Sequence, residues 1–465
     1  MSKVKIAVML IFFLWFFVFS LISPAAAEET SGNPGPSHQL ILNPYENVDW
    51  EEYGQYRANL HTHTQESDGS LTVAEVIDQY HARGYHVLSI TDHDHQGSRE
   101  PTWPWQKYGR NPDELGMVAI QGNELSYHHH MGSYFTGYYG GRSGSEDESL
   151  ERIGEKGGLA IFFHPGRYHG TEDWHWYLPY FRQYPHLVGL EVYNMGDRYP
   201  QDRELWDNIL SALMPDRPVW GFSNDDMHRI IHVGRNWNTF LLPELSEEEV
   251  RAAMEKGRFY FSYHFGEDEL TPPRINEIKV EQGRITITAD NYYGILWISD
   301  GEVVATGNTL RYAETDGVTS YVRARLTGAG GYTYTNPFGF YITATGIKFD
   351  QVAMALPADG KGYLIKTTVL PRGAVSPVVA WSSLNEDVAT VEDGIVIPHT
   401  PGVAELTVTT EDGFEASSYL VVIPHMEDGN WLGNTAFLLT IFTIGVAIFV
   451  SWYLILKSKN GGLLH

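Results

Sequence analysis

The run Arg57-Ala58-Asn59-Leu60-His61-Thr62-His63 decides how the first half of the chain is read. Residues 57–60 lead as a short strand into the two histidines. Residues two apart on a strand point to the same side, so His61 and His63 can face one ion. Downstream, Thr72 and Glu75 form a T-x-x-E capping box. Val73, Val76, Ile77 and Tyr80 make one apolar stripe, and Gly84 supplies a stop, which together predict a helix. Residues 87–91 then predict a short buried strand. The rhythm returns in a helix over 150–156, a strand over 159–163, and further strands over 187–192 and 219–222. Repeated β-α-β units of this kind predict a mostly parallel sheet or barrel with helices outside.

The strand ends carry the chemistry. His61 and His63 end the first strand, and Asp68 follows in Ser67-Asp68-Gly69. The next strand ends in Asp92-His93-Asp94-His95, residues 117–120 lead to Glu124, residues 159–163 end in His164-Pro165, and the fifth strand ends in Asp225-Asp226-Met227-His228. In β/α barrels the active site gathers at the C-terminal ends of the strands, so these scattered residues would converge on one pocket. Of the 20 histidines, 16 fall between His61 and His264, which places the chemistry in this part of the chain.

In that order, His61-Thr-His63, Ser67-Asp68-Gly69, Ile90-Thr-Asp92-His93, Gly122-Asn-Glu124, His164-Pro165 and Asp226-Met-His228 resemble the PHP (polymerase and histidinol phosphatase) domain family, over residues 56–266. The resemblance implies an α/β fold, a distorted (β/α)7-type barrel holding two or three divalent ions. It implies that His61, His63, Glu124 and Asp226 hold the first ion. Glu124 then bridges to a second, completed by His164 and a histidine from the following strand, and Asp68, His93 and His228 hold a third. For the second ion we take His130. His128 and His130 share a strand face with Glu124 and His129 points away, so the sequence leaves His128 open. Asp225 is an alternative to Asp226, and the D-x-H spacing favours Asp226. Asp92 and Asp94 read as groups that orient His93 or shape the turn. Glu191, at a strand end, reads as a structural or substrate contact. Trp174, Trp176 and Tyr177 read as core packing before substrate wall, and His169 and His175 carry no preference.

The chemistry stands beside the family name. Mixed imidazole and carboxylate ligands suit Zn²⁺, Mn²⁺ or Fe²⁺, and a bridging Glu keeps two ions roughly 3.5 to 4 Å apart, where a shared water is acidified. The expected reaction is attack of that metal-bridging hydroxide on a phosphomonoester or phosphodiester, with Glu124 and Asp226 catalytic through the ions. Arg167 would grip a non-bridging oxygen, or else sit in an exposed salt bridge. Hydrolysis of a non-phosphate bond at the same cluster, or a surface adhesion protein with an inactive barrel, are the alternatives.

Composition bounds these readings. The 465 residues carry 32 Lys+Arg against 58 Asp+Glu, a formal charge of −26, and no cysteine. Disulfide frameworks, zinc fingers, iron–sulfur clusters and cysteine nucleophiles are excluded. The acidic balance argues against nucleic acid as a partner, and a small-molecule or surface phosphate ester is expected instead.

Both ends point to a membrane. Lys3 and Lys5 precede the apolar run 6–22, and Ala25-Ala26-Ala27 offers a cleavage site, so residues 1–27 read as a secretory signal. Residues 432–456 are a 25-residue stretch without a charged side chain, flanked by Trp431 and followed by Lys457 and Lys459. At ~1.5 Å per residue it is long enough to cross ~30 Å of hydrocarbon. The expectation is a single-pass cell-membrane protein with its catalytic domain extracytoplasmic and residues 457–465 as a cytoplasmic tail.

Residues 28–55, rich in Gly, Pro, Ser and Asn, read as a linker or surface wrap, and the catalytic domain as 56–268. Residues 269–344 read as a small all-β sandwich with strands over 275–280, 284–289, 294–299 and 320–326. Over 345–424 the motifs Val379-Ala-Trp381-Ser-Ser, Val388-Ala-Thr-Val391, Gly394 and Thr400-Pro-Gly-Val403 resemble bacterial Ig-like group 2 modules. That resemblance implies a second sandwich acting as a spacer or a cell-envelope contact. Truncation before residue 432 is expected to release protein into the medium, read by fractionation; continued retention would mean that the N-terminal segment stays uncleaved and anchors the chain.

Overall fold

The computed structural model describes residues 38–94, 102–140, 144–266, 269–351, 353–371, 373–374 and 378–424. The signal, membrane-helix and tail readings lie outside the described residues. Among the described residues no helix is long and apolar enough to cross a membrane.

The first part of the chain runs β1 (His38–Leu42), β2 (Gly54–Asn59), α1 (Val73–His81), β3 (Val87–Ile90), α2 (Pro112–Leu115), β4 (Val118–Leu125), β5 (Met131–Tyr134), α3 (Glu146–Glu155), β6 (Leu159–Phe162), α4 (Leu178–Gln183), β7 (Leu187–Asn194), α5 (Asp202–Leu213), β8 (Trp220–Asn224), β9 (Asn236–Leu242), α6 (Glu247–Lys256) and β10 (Phe259–His264). This is a mixed α/β fold around one large sheet. Strands lie in the order β9-β2-β3-β4-β5-β6-β7-β8. β2-β3-β4 and β6-β7-β8 are parallel, whereas β5 is antiparallel to both its neighbours and β9 is antiparallel to β2.

β8 and β9 meet through side chains. Ser223 donates its backbone N–H to Asn238 Oδ1 (3.0 Å), and Asn238 Nδ2 donates to the Ser223 carbonyl (3.0 Å). Leu60 donates its N–H to Asn224 Oδ1 (3.1 Å), and Asn59 Nδ2 donates to the Asn236 carbonyl (3.0 Å). Each amide offers the donor and acceptor of a peptide group, so these buried asparagines stand in for a backbone ladder and the sheet curls back on itself.

The two helices read from the sequence are present, one in place and one longer at its start. Thr72 and Glu75 close the capping box of α1, and Val73, Val76, Ile77 and Tyr80 are buried beside Leu88, Ile90 and Trp105. At ~1.5–3 kcal/mol per fully buried large side chain, that face holds the helix against the sheet. α3 starts four residues before the expected 150, because Ser145 caps the N–H of Glu148 and three acids fill the first turn. β4 runs through Glu124 rather than stopping short of it.

Two boundaries differ from the sequence reading. Residues 38–42, expected within a linker, form β1, paired antiparallel with the strand Phe338–Ile342. Tyr45 is buried, donates its hydroxyl to the Phe259 carbonyl (3.0 Å) and accepts from the Asn336 N–H (2.8 Å). The strands of 269–344 are not a free-standing sandwich. The strand Gly331–Thr335 pairs with β10 on one side and with Tyr321–Gly328 on the other, so the large sheet continues into them. Their apolar core, with Ile285, Trp297 and Phe338, also takes in Tyr45, Leu241 and Tyr260. Residues 345–424 form smaller sheets of their own, of which the largest orders the strands Ala353–Pro357, Glu415–Ile423, Gly402–Thr410 and Val378–Ser383 around Leu406, Val408 and Leu420.

A buried ion pair ties α5 to this added β layer. Arg323 donates from Nε to Asp207 Oδ1 (2.8 Å) and from Nη2 to Oδ2 (2.5 Å), and Tyr321 donates its hydroxyl to the same carboxylate (2.8 Å). Asp207→Ala leaves the guanidinium buried without a counter-charge and is expected to cost about 3–5 kcal/mol in chemical denaturation; a loss under about 1 kcal/mol would show the pair to be dispensable.

Candidate metal centre

Glu124 is at the middle. It is 1% exposed, near the end of β4, and its two oxygens face different partners. Oε2 lies 3.3 Å from His61 Nε2, 3.2 Å from His63 Nε2 and 3.0 Å from His93 Nδ1. Oε1 lies 2.6 Å from His130 Nδ1 and 3.3 Å from His164 Nε2. Asp226 Oδ1 is 3.2 Å from His61 Nε2 and 3.1 Å from His63 Nε2. On the outer side, half-exposed Asp68 meets His93 Nε2 at 3.5 Å, His228 Nε2 at 3.4 Å and His63 Nδ1 at 3.6 Å.

These side chains fall into overlapping groups whose ligand atoms lie within 4.8 Å of one another: His63, Asp68, His93 and His228; His61, His164 and Asp226; His61, His63 and Glu124; His93, Glu124 and His130. The structure thus brings together every residue that the sequence named as a metal ligand. Sequence reading missed that His63 turns its second nitrogen toward the Asp68 group.

The donor set fits cations. His61 Nε2, both ring nitrogens of His63, Glu124 Oε2 and His164 Nδ1 are buried and have no hydrogen-bond partner. Several of these atoms converge with their lone pairs on shared space, an arrangement that costs free energy unless a cation or proton lies between them. Burial pushes Glu124 up, and the imidazoles of His130, His93 and His61 outweigh it and hold the carboxyl well below the usual range. Asp226 is likewise lowered, by His61 and His63 against its burial. Burial pulls His93 down, yet Glu124 and Asp68 raise it to about 10.

Buried carboxylates that face no cluster build the frame. Glu191, wholly buried on β7, accepts from His61 Nδ1 (2.9 Å), the His164 N–H (2.9 Å), Asn194 Nδ2 (2.8 Å) and Asn224 Nδ2 (2.9 Å). With Nδ1 donating, His61 presents Nε2 as a lone pair. His61 is also stacked on Phe163 at 3.6 Å between ring centres. Asp92 takes the Thr64 N–H and the hydroxyls of Thr64, Ser67 and Thr102, so it shapes the turn that carries Asp68 rather than orienting His93. Asp94 accepts the Ser126 N–H at 3.0 Å, and burial pushes it up to about 7. Asp225 accepts from the Tyr80 hydroxyl and the N–H groups of Gly234, Arg235 and Asn236. Its oxygens are thereby used, and Asp226 is the residue that faces the histidines.

The three consecutive histidines separate by their partners. His128 is held by Ser149 Oγ (2.8 Å) and the His129 carbonyl, and His129 by Glu146 (2.6 Å) and His169 (2.7 Å) over the Trp176 ring, leaving His130 for Glu124. Tyr177 is core, and His175 and Arg167 are exposed. Arg167 lies with its guanidinium 5.6 Å from the centre of the Tyr168 ring and has no ion pair among the described residues, so the salt-bridge reading does not hold for it.

His164 (φ 30°) and Asp226 (φ 44°) adopt the left-handed backbone that side chains other than glycine's avoid. Such conformations cost ~1–3 kcal/mol each and persist where surrounding bonds fix them, here the bond from the His164 N–H to Glu191 and, beside Asp226, those from the N–H groups of His63 and Ser70 to the carbonyls of Met227 and His228. Glu191→Gln keeps the shape but loses acceptor strength behind His61, and is expected to weaken ion binding about 10–100-fold in a chelator competition; wild-type affinity would rule out that role.

No protein-family model matches the chain. A minor capsid protein of Enterobacteria phage T3 is 34% identical over 98 residues, which are 21% of this chain and 22% of that protein, so the chain spans under a quarter of its length in the match. Among solved structures, a two-domain protein from Bacteroides vulgatus containing a predicted PHP-like metal-dependent phosphoesterase is similar at 15% identity and a TM-score of 0.40, over 66% of this chain and 91% of that one. An amidohydrolase from Chromobacterium violaceum, with bound sulfate and no metal, is similar at 19% identity and a TM-score of 0.29, over 37% of this chain and 87% of that one. These likenesses assign no chemistry to this chain, which rests on its own residues.

Proposed function

We propose that the chain is a metal-dependent phosphoesterase of the PHP type, acting on a phosphomonoester or phosphodiester. The observation that carries this reading is Glu124, a buried carboxylate whose two oxygens face two separate sets of imidazoles. A bridging ligand between two cations has that geometry. His61, His63, Glu124 and Asp226 would hold one ion, Glu124, His130 and His164 a second, and Asp68, His93 and His228 a third, with manganese, zinc or iron suited to the mixed nitrogen and oxygen donors. When bound, such ions neutralise phosphoryl oxygens and acidify water.

The chain's own groups do the rest. Glu191 holds the proton on His61 Nδ1, and His228 donates from Nδ1 to the Asp226 carbonyl (2.9 Å), so each presents Nε2 to the centre. Arg167, exposed and without a carboxylate partner among the described residues, supplies a planar fork of donors for a non-bridging phosphate oxygen. Half-buried Tyr168 walls that side, its ring 5.7 Å from His130 and 6.1 Å from His164.

The proposal extends to place. The apolar runs at 6–22 and 432–456 support export and a C-terminal membrane anchor, with the catalytic part outside the cytoplasm and residues 345–424 as an Ig-like spacer. Glu124→Gln keeps the volume and removes the charge. With bis-p-nitrophenyl and p-nitrophenyl phosphate as probes and circular dichroism as the fold control, the variant is expected to lose activity by on the order of a hundredfold or more. A folded E124Q with full turnover would refute the bridge.

A further inference from the structure

The turn that follows β6 carries two groups the proposed reaction uses, His164 and Arg167, on either side of Pro165 and Gly166. It lies past the end of β6, where sheet pairing has stopped, and side chains from other elements hold its backbone instead. The His164 N–H donates to Glu191 Oε2 (2.9 Å), and the Tyr177 hydroxyl donates to the Pro165 carbonyl (3.1 Å). The Gly166 N–H donates to Asp202 Oδ1 (2.5 Å), and Gln201 Nε2 donates to the Gly166 carbonyl (2.7 Å). Two adjacent residues at the head of α5 thus grip both backbone polar groups of Gly166, between the candidate ligand and the candidate phosphate grip.

Stability alone gives no reason for this arrangement. Asp202 is wholly buried, and its Oδ2 has no hydrogen-bond partner among the described residues, which costs free energy. Burial, with Glu191 adding to it, pushes the carboxyl up to about 8 against the bond from Gly166, so near neutral pH it accepts that bond as a neutral acid. Gln201 makes no capping bond to its own helix. The fit also excludes a side chain at position 166, where a Cβ would press on Asp202 Oδ1 and stand 2.7 Å from Gln201 Nε2. Beside it His164 sits in left-handed backbone (φ 30°), a conformation that relaxes unless neighbours hold it, with its Nε2 3.3 Å from Glu124 Oε1.

We propose that Asp202 and Gln201 are positioning residues for the centre: by holding Gly166 they aim His164 at the second ion and set where Arg167 reaches. Neither touches the reacting atoms, and each acts through the turn. The effect is confined to the second ion, because the other candidate ligands stand on other loops. His61, His63 and Asp68 follow β2, His93 follows β3, and Asp226 and His228 follow β8. The inference rests on the phosphoesterase reading, and its test keeps the two apart.

The full-length protein, stripped of metal, is titrated with Mn²⁺ by calorimetry as wild type, D202A/Q201A, G166A, Q201A and D202N, with circular dichroism as the fold control. The double variant and G166A are each expected to lose about tenfold or more in affinity for one ion while the remaining sites keep theirs. Q201A should lose less at the same ion, and D202N, which keeps a neutral acceptor for the Gly166 N–H, should retain most of the affinity. On p-nitrophenyl phosphate the double variant and G166A should show a lower kcat and a higher KM together. Wild-type affinity at every site in both would overturn the proposal. So would an equal weakening of all sites, the mark of general loosening, or a D202N as weak as the double variant. If the double variant and G166A do not fold, Q201A decides: a loss at one ion supports the proposal and none overturns it. If wild type holds its ions but cleaves neither p-nitrophenyl nor bis-p-nitrophenyl phosphate, the phosphoesterase reading falls alone, and the ion affinities still decide on the two positioning residues.

Discussion

A buried carboxylate ringed by five imidazoles is the constraint on which the rest of this structure turns. Glu124 has no way to be stable in a 1% exposed position as an isolated anion, because ordinary burial would drive it to the neutral form. His61, His63 and His93 on one oxygen and His130 and His164 on the other supply the compensation. Imidazoles alone can do so only by taking up protons, and the partnerless nitrogens of His61 and His63 point to cations as the better counterpart. Everything around the site then has one task, to hold lone pairs inward.

That task explains why so many acids are buried without facing the centre. Glu191, Asp92 and Asp225 spend their oxygens on backbone N–H groups, amides, hydroxyls and His61 Nδ1. Each ties down a loop near a strand end, and Glu191 holds the N–H of His164, whose backbone is left-handed. The asparagines that join β8 to β9 serve the same end from below, since the strand ends converge only if the sheet curls round.

The candidate ligands were legible because each is local to its strand: an H-x-H step, a D-x-H step, a histidine before a proline. The choice among His128, His129 and His130 was not, since it depends on Ser149 and Glu146 reaching across from α3. Parity removed His129 and left two. Asp225 and Asp226 differ only in which neighbours arrive, and Glu191 offered no more signal than a lone acid at a strand end. Residues 38–42, within the stretch read as linker or surface wrap, were missed as a strand for a related reason. β1 is a short edge strand whose partner, Phe338–Ile342, lies at the far end of the described β layer, and local periodicity carries no trace of such a pairing. In 269–344 the four strands read from the sequence are present among eight, and the sandwich is not independent, because β10 continues the sheet into it.

The most direct test of the two-sided carboxylate is anomalous diffraction from crystals of the purified protein soaked with Mn²⁺ or Zn²⁺. The expected result is two or three peaks, with two of them on opposite oxygens of Glu124 about 3.5–4 Å apart. A single peak that leaves one Glu124 oxygen hydrogen-bonded to protonated histidines, or peaks only on exposed surface residues, would contradict the bridge and with it the hydrolytic reading.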